Sequence, residues 1–288
     1  MNKDSLFIFL QYVIPQHALS RLVGWFASTE IGLIKNTFIT KFAKKYRVNM
    51  DEALVEDLSA FASFNDFFTR QLKDGARPIA QGEGVLVSPA DGAVSQLGKI
   101  ELGKVFQAKG RDFSVTTLLG GDSERAATFL NGEFATIYLS PKDYHRVHMP
   151  CAGKLLETVY VPGDLFSVNP TTAQGVDGLF ARNERLVCMF ETEYGPMAMV
   201  LVGAMIVAGI ETVWSGQVCP LPKKAQVQDY TQSEIRLQKG QEMGRFKLGS
   251  TVVLCFPEDS VKFLEEIRAE SPLVMGQALA GRESGQSH

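Results

Sequence analysis

From residue 85 onward, short runs rich in β-branched and aromatic residues recur, each closed by Gly, Pro, Asp or Asn. The runs "GVLVSPADGAVSQLGKI", "EFATIYLS", "KLLETVYV", "RLVCMFET" and "TVVLCF" alternate strand-like residues with turn signals and leave little room for long helices. "PMAMVLVGAMIVAGIETVW" carries a longer apolar stretch, Met197 to Ile210, interrupted by Gly203 and Gly209. It is shorter than the about 18 residues that cross a bilayer, so two consecutive buried strands are expected. The chain has 288 residues and is 45% hydrophobic, enough for one large domain or two modest ones and too apolar for general disorder. No internal repeat or low-complexity tract interrupts it, and "GRESGQSH" makes a polar end expected to be mobile.

The first 70 residues read differently. "SLFIFLQYVIPQHALSRLVGWFASTEIGLIKNTFITKFAKKYRV" predicts two or three helical pieces, the first interrupted at Pro15. "DEALVEDLSAFASFNDFFTRQL" is also expected to be helical, with a second helix starting near Asn65 and Asp66. The fold class is therefore α+β: an N-terminal amphipathic helical region, 1–70, followed by a β-rich core, 71–288.

Net charge is −3, but residues 1–49 carry +5 and the remainder −8. A basic end on an acidic body suits an anionic partner. That end also carries bulky apolar residues such as Phe7, Leu10, Leu22, Trp25, Phe26, Ile34 and Phe38, and no signal-peptide pattern. Basic helices with apolar faces fit the plane of an anionic membrane; a helical layer packed on the protein's own core fits equally. Nucleic acid is disfavoured, because the basic residues are not interleaved with an exposed aromatic platform.

Cys151, Cys188, Cys219 and Cys255 form no CxxC pair and no metal-ligand spacing with the histidines, so a reducing compartment and no metal are expected. Of four histidines, His17 lies in the amphipathic end and His288 is the last residue. His145 and His148 share "SPKDYHRVHMPCAG", a stretch bounded by Pro141 and Pro150 that reads as a loop or short turn. Asp91 in "SPADGAV" is by default a hairpin-turn residue. Ser250, in "FKLGSTVVLCF", either merely opens a buried strand or is a nucleophile. The chain order Asp91, His148, Ser250 is one that serine triads use, with Asp fixing the imidazole, His taking the hydroxyl proton and Ser attacking. Spacing alone does not bring the three together.

An ordinary hydrolase is not indicated, since Ser250 lacks the G-x-S-x-G elbow. A serine directly after Gly249 has its hydroxyl near the preceding carbonyl, and attack there would shift the acyl group from nitrogen to oxygen. The ester could then eliminate to dehydroalanine and hydrolyse to a pyruvoyl group.

"FKLGSTVV" together with "SPADG", "DYHRVHMPCAG", "YVPGDLFSVN", "LFARNER", "VGAMIVAGIETVW" and "KGQEMGRF" closely resembles the bacterial phosphatidylserine decarboxylase family over nearly the whole chain. The resemblance implies a membrane-associated, self-processing enzyme in which Asp91, His148 and Ser250 form the self-cleavage triad. Cleavage between Gly249 and Ser250 would give a β chain, 1–249, and an α chain, 250–288, that begins with a covalent pyruvoyl cofactor. The two chains would stay together as a heterodimer, with further oligomerisation left open. The implied reaction joins the pyruvoyl ketone to the amine of phosphatidylserine as a Schiff base, releasing CO2 and phosphatidylethanolamine. His145, or His148 in a second role, is the candidate proton donor to the substrate carbon. Phe166 and Val168 in "YVPGDLFSVN" are candidate lipid contacts, against the alternative of a turn packed in the core. The implied location is the cytoplasmic face of the cell membrane, held peripherally. Two other classes stay open beside this one: a serine hydrolase using the same triad, and a catalytically silent membrane-binding homologue.

Overall fold

Pro15 has no N–H to continue a helix, and the chain bends 88° between α1 (Lys3–Val13) and α2 (Gln16–Ala27). A third helix, α3 (Gly32–Tyr46), ends where Arg47 turns left-handed at φ 54° and its N–H caps the Ala43 carbonyl. The computed structural model describes residues 3–205, 209–219, 224–247 and 250–282, and the backbone but not the side chains of Cys219 and Ser250. Gly249, His288 and most of the polar C-terminal end therefore lie outside the described residues. Among the described residues no single helix is long and apolar enough to cross a membrane; α1 and α2 have the length and composition only as a bent pair.

These helices bury little of their own apolar surface. Phe9, Tyr12, Val13, Leu22, Trp25, Ile31 and Leu33 are exposed, Leu33 at 83% and Trp25 at 65%. Ile8 and Tyr12 of α1 and Val23 and Ala27 of α2 do pack inward, and polar bonds add to them. Buried Gln16 accepts the Leu165 N–H at 2.6 Å through Oε1, and buried Gln11 accepts the Ser167 N–H at 3.0 Å. The Gln16 amide also donates to the Gln11 carbonyl at 2.7 Å, closing the elbow.

The segment 51–72 departs from its predicted helix: only α4 (Phe64–Phe68) forms. Local side-chain bonds won over helix propensity. Asp57 accepts both the N–H and the hydroxyl of Ser59, while Leu54 N–H bonds the Gln71 carbonyl and folds the stretch back on itself. The start expected near Asn65 and Asp66 is capped by Ser63, which accepts the Asp66 N–H; Asp66 in return accepts that of Ala62. Phe64, Phe67 and Phe68 then pack with Ile39 and Phe42 of α3 in a small aromatic core.

The β-rich core is as expected. Its main sheet is antiparallel and runs, in spatial order, Gln226–Asp229, Gly153–Val161, Arg185–Thr192, Gly195–Val202, Ser250–Phe256, Glu133–Leu139, Gly92–Lys99 and Pro272–Leu273. "TVVLCF" is central in this sheet. Val252, Leu254 and Phe256 enter one hydrophobic core, and Val253 and Cys255 enter the other. Burial on both faces explains a continuous apolar run where a half-solvated strand would alternate. The Met197–Ile210 stretch divides as expected into two strands, Gly195–Val202 and Gly209–Thr212. A smaller sheet carries Gly216–Cys219, Gly209–Thr212, Glu242–Lys247 and Arg146–His148 in that order. The His145–His148 stretch expected as a loop thus contains a three-residue strand, because its backbone pairs with Glu242–Lys247 nearly one hundred residues later.

Candidate active site

The end of the main sheet at Ser250 gathers most of the chemistry-bearing residues. Across three neighbouring strands, Ala93, Tyr138 and Thr251 lie in register, and Ser250 lies opposite Leu139. Asp91 therefore leaves the sheet two strands away from Ser250, on the same row end. The turn before that strand demands glycine. Gly92 has φ 155°, and a Cβ there would collide with the Tyr138 carbonyl.

Asp91 is buried and held on several sides. Its Oδ1 accepts Arg77 Nε at 2.9 Å and the Met275 N–H at 2.8 Å, and its Oδ2 accepts Arg77 Nη2 at 2.6 Å. Arg77 Nη2 also meets Glu52 Oε2 at 2.9 Å. Burial opposes the charge on Arg77, but Asp91 and Glu52 together raise its pKa above the ordinary arginine value, so the guanidinium stays charged.

His148 sits beside this turn. Its N–H donates to the Pro89 carbonyl at 2.8 Å, so the 88–92 turn and the His148 strand are joined through backbone. Its ring Nδ1 lies 2.8 Å from the Gly240 carbonyl, and a carbonyl can only accept. The proton is thereby on Nδ1, and the lone pair on Nε2 accepts from the Tyr144 hydroxyl at 3.2 Å. Burial lowers the His148 pKa, against the Gly240 bond and the charges of Glu242 and Asp91, which act the other way. The result is a neutral imidazole with its basic nitrogen at Nε2. No hydrogen bond joins Asp91 to His148; each has its own partners.

His145 is fully buried, stacked on Phe68 with ring centroids 4.0 Å apart. Its Nε2–H donates to the Ser140 carbonyl at 3.1 Å, while Nδ1 has no partner among the described residues. Burial pulls its pKa down to about 3, so this ring too is neutral. Asp143 closes the same turn by accepting the Ser140 N–H at 2.7 Å, which ties the histidine segment to the strand opposite Ser250.

Phe166 and Val168 are buried. Phe166 packs between Tyr12 of α1, at 5.0 Å, and the Arg182 guanidinium, at 4.8 Å. Val168 lines a cavity of about 270 Å³ with Val94, Tyr138, Ala173 and Phe180. Three participants were not legible in the sequence: Arg77, Tyr144 and the Gly240 carbonyl. Only Tyr144 had a local signal, four residues before His148 in the same Pro-bounded stretch.

Comparison with known proteins covers nearly the whole chain. The family described as "Phosphatidylserine decarboxylase" matches residues 64–281, and a second family, described as "PSD", matches residues 6–47. A phosphatidylserine decarboxylase proenzyme of Pseudomonas fluorescens (strain Pf0-1) is 60% identical over 281 residues, covering 96% of this chain and 98% of that protein. A protein of the same name from Saccharophagus degradans is 60% identical over 279 residues, covering 96% and 98%. One from Alcanivorax borkumensis is 59% identical over 288 residues, with 99% of each chain covered. At this identity and coverage the chain belongs to the phosphatidylserine decarboxylase family of enzymes.

Proposed function

We propose that this chain cuts its own backbone between Gly249 and Ser250 and then decarboxylates phosphatidylserine. The observation that carries the reading is the neutral His148, its lone pair on Nε2, at the sheet end where the Ser250 strand begins.

In the first step His148 Nε2 takes the Ser250 hydroxyl proton as the oxygen bonds to the Gly249 carbonyl carbon. The peptide C–N bond breaks, the nitrogen regains a proton, and an ester remains. Loss of the Ser250 Cα proton expels the Gly249 carboxylate and leaves dehydroalanine, which water converts to a pyruvoyl group and ammonia. Asp91 orients His148 through the 88–92 turn, whose Pro89 carbonyl holds the His148 N–H, and by its negative charge. The Ser250 strand suits a group that must stay in place after the cut. It is paired on both sides and buried on both faces, so the 39-residue α chain remains seated.

The pyruvoyl group supplies a carbonyl that condenses with the substrate amine and accepts the electron pair left when CO2 departs. The chain's own residues manage the protons. His145, neutral and with no partner for Nδ1 among the described residues, is assigned to take the proton that the substrate ammonium must lose and to return it to the substrate carbon. No solvent reaches this ring in the uncut chain, so the reading requires that severing the backbone open a path to it. His145→Ala is expected to cut itself close to completion and to lose decarboxylation by about 10²-fold or more. Gel electrophoresis and CO2 release are the two readouts; loss of cleavage in this variant would contradict the division of roles.

The lipid cannot leave its bilayer, since each buried CH2 is worth about 0.8 kcal/mol. The enzyme therefore comes to the surface, through the exposed Phe9, Trp25 and Leu33 and the basic residues of α3, on the cytoplasmic face. A chain lacking residues 1–31 is expected to lose flotation with phosphatidylglycerol vesicles, and full retention would refute the assignment. The function itself is tested by CO2 release from carboxyl-labelled phosphatidylserine in detergent micelles. Release matched by phosphatidylethanolamine is expected, and a fully cut but inert enzyme would overturn the reading.

A further inference from the structure

Between α2 and the core lies a cavity of about 370 Å³, within the roughly 300–1,000 Å³ usual for small-molecule sites. One face of α2 forms its wall with His17, Arg21 and Trp25; Leu165, Glu184 and Lys247 line the opposite side. The charges are unequal. Lys247 is spent on Glu211 and Gln217, and His17 donates from Nε2 to the Gly163 carbonyl at 3.0 Å. The Glu184 carboxylate accepts the Tyr160 hydroxyl at 2.5 Å, which turns it toward the core, and burial raises its pKa. Arg21 is exposed and has no hydrogen-bond or ion-pair partner among the described residues.

The position of this cavity is informative. Residues 17, 21 and 24 share one stripe of α2, while 22, 25 and 26 lie on the adjoining stripe and expose Leu22, Trp25 and Phe26. A membrane touched by the apolar stripe would put lipid headgroups at the cavity mouth, at the level of Arg21. Lys247 precedes Ser250 by three residues, so the cavity wall and the reacting end are at most about 10 Å apart along the chain. A guanidinium with free donors is matched to a phosphodiester, which it can bind through two parallel hydrogen bonds.

We propose that Arg21 and the cavity behind it bind the phosphodiester of the substrate's headgroup, so that α2 both docks on the bilayer and selects a glycerophospholipid. This rests on the reading of the substrate as phosphatidylserine. Arg21 holds the phosphate while the serine amine reaches toward position 250, and the acyl chains stay beside Leu22, Trp25 and Phe26.

The test uses the full-length, self-cut enzyme, with Arg21→Ala and Arg21→Lys. In neutral detergent micelles R21A is expected to raise KM for phosphatidylserine by at least about tenfold, since even one lost charge-assisted hydrogen bond is worth that, with kcat moving far less and R21K intermediate. Flotation on phosphatidylglycerol vesicles should stay as in the wild type. Calorimetry adds an arm free of turnover: soluble glycerophosphoserine binds the wild type and not R21A, and inorganic phosphate at the same concentration does not replace it. An unchanged KM in R21A would overturn the proposal. So would a rise in KM matched by lost vesicle binding, which makes Arg21 a general membrane contact. A wild type that binds glycerophosphoserine but releases no CO2 from phosphatidylserine in micelles would instead sink the decarboxylase reading and leave the cavity assignment standing.

Discussion

His148→Gln is expected to remain a single uncut chain of 288 residues under conditions in which the wild type divides. Glutamine can keep a donor on the Gly240 carbonyl, where His148 now donates at 2.8 Å, so the local fold is retained. What it lacks is a basic nitrogen at the place of Nε2. Removing a positioned general base costs about 10²–10⁴ in rate, enough to turn a processed protein into a stable precursor on a gel. The pH profile adds a sign. Because burial holds the His148 pKa below its ordinary 6.5, the imidazole stays unprotonated as pH falls through that value. Wild-type cleavage should therefore persist below pH 6.5 and fail only in more acidic solution. A gel time course of chain freshly made by cell-free synthesis reads both, and cleavage of H148Q at the wild-type rate would contradict the role.

Arg77→Met should cost about 3–5 kcal/mol of stability, the usual penalty for removing one partner of a buried ion pair. Arg77 and Asp91 side chains are only 13% and 10% exposed, and the remaining bond to the Met275 N–H cannot replace a bidentate guanidinium. Arg77→Lys should recover only part, since an ammonium cannot span both carboxylate oxygens and Glu52 at once. The effect reaches beyond stability. The 88–92 turn that Asp91 locks also holds the His148 N–H through Pro89, so self-cleavage should slow as well. Urea denaturation of the uncut Ser250→Ala chain, with and without R77M, isolates the stability part. A midpoint within experimental error of the parent would show that the pair is not holding the turn.

The sequence made the strands legible where both faces are buried, because nothing but an apolar run satisfies such a site. "TVVLCF" is the clearest case, and Pro15 was as plain for the helices. The 51–72 segment misled because its helix-forming residues are interspersed with Asp57, Ser59 and Ser63, whose side chains offer the backbone closer partners. The histidine stretch misled for a different reason: a three-residue strand has no period of its own and exists only through its pairing with Glu242–Lys247. Arg77 and Gly240 were illegible on the same ground. Their distance from Asp91 and His148 along the chain carries no signal, and a backbone carbonyl carries none in any sequence. The resemblance of the motifs supplied the family, but not the partners that hold Asp91 and His148 in this fold.

The most direct measurement is the intact mass of the small chain from an active preparation, separated under denaturing conditions. The account predicts residues 250–288 with a pyruvoyl group replacing the first serine, and a shift in that mass after borohydride reduction of the ketone. A small chain beginning with unmodified serine, or an active enzyme that is still one uncut chain, would contradict it.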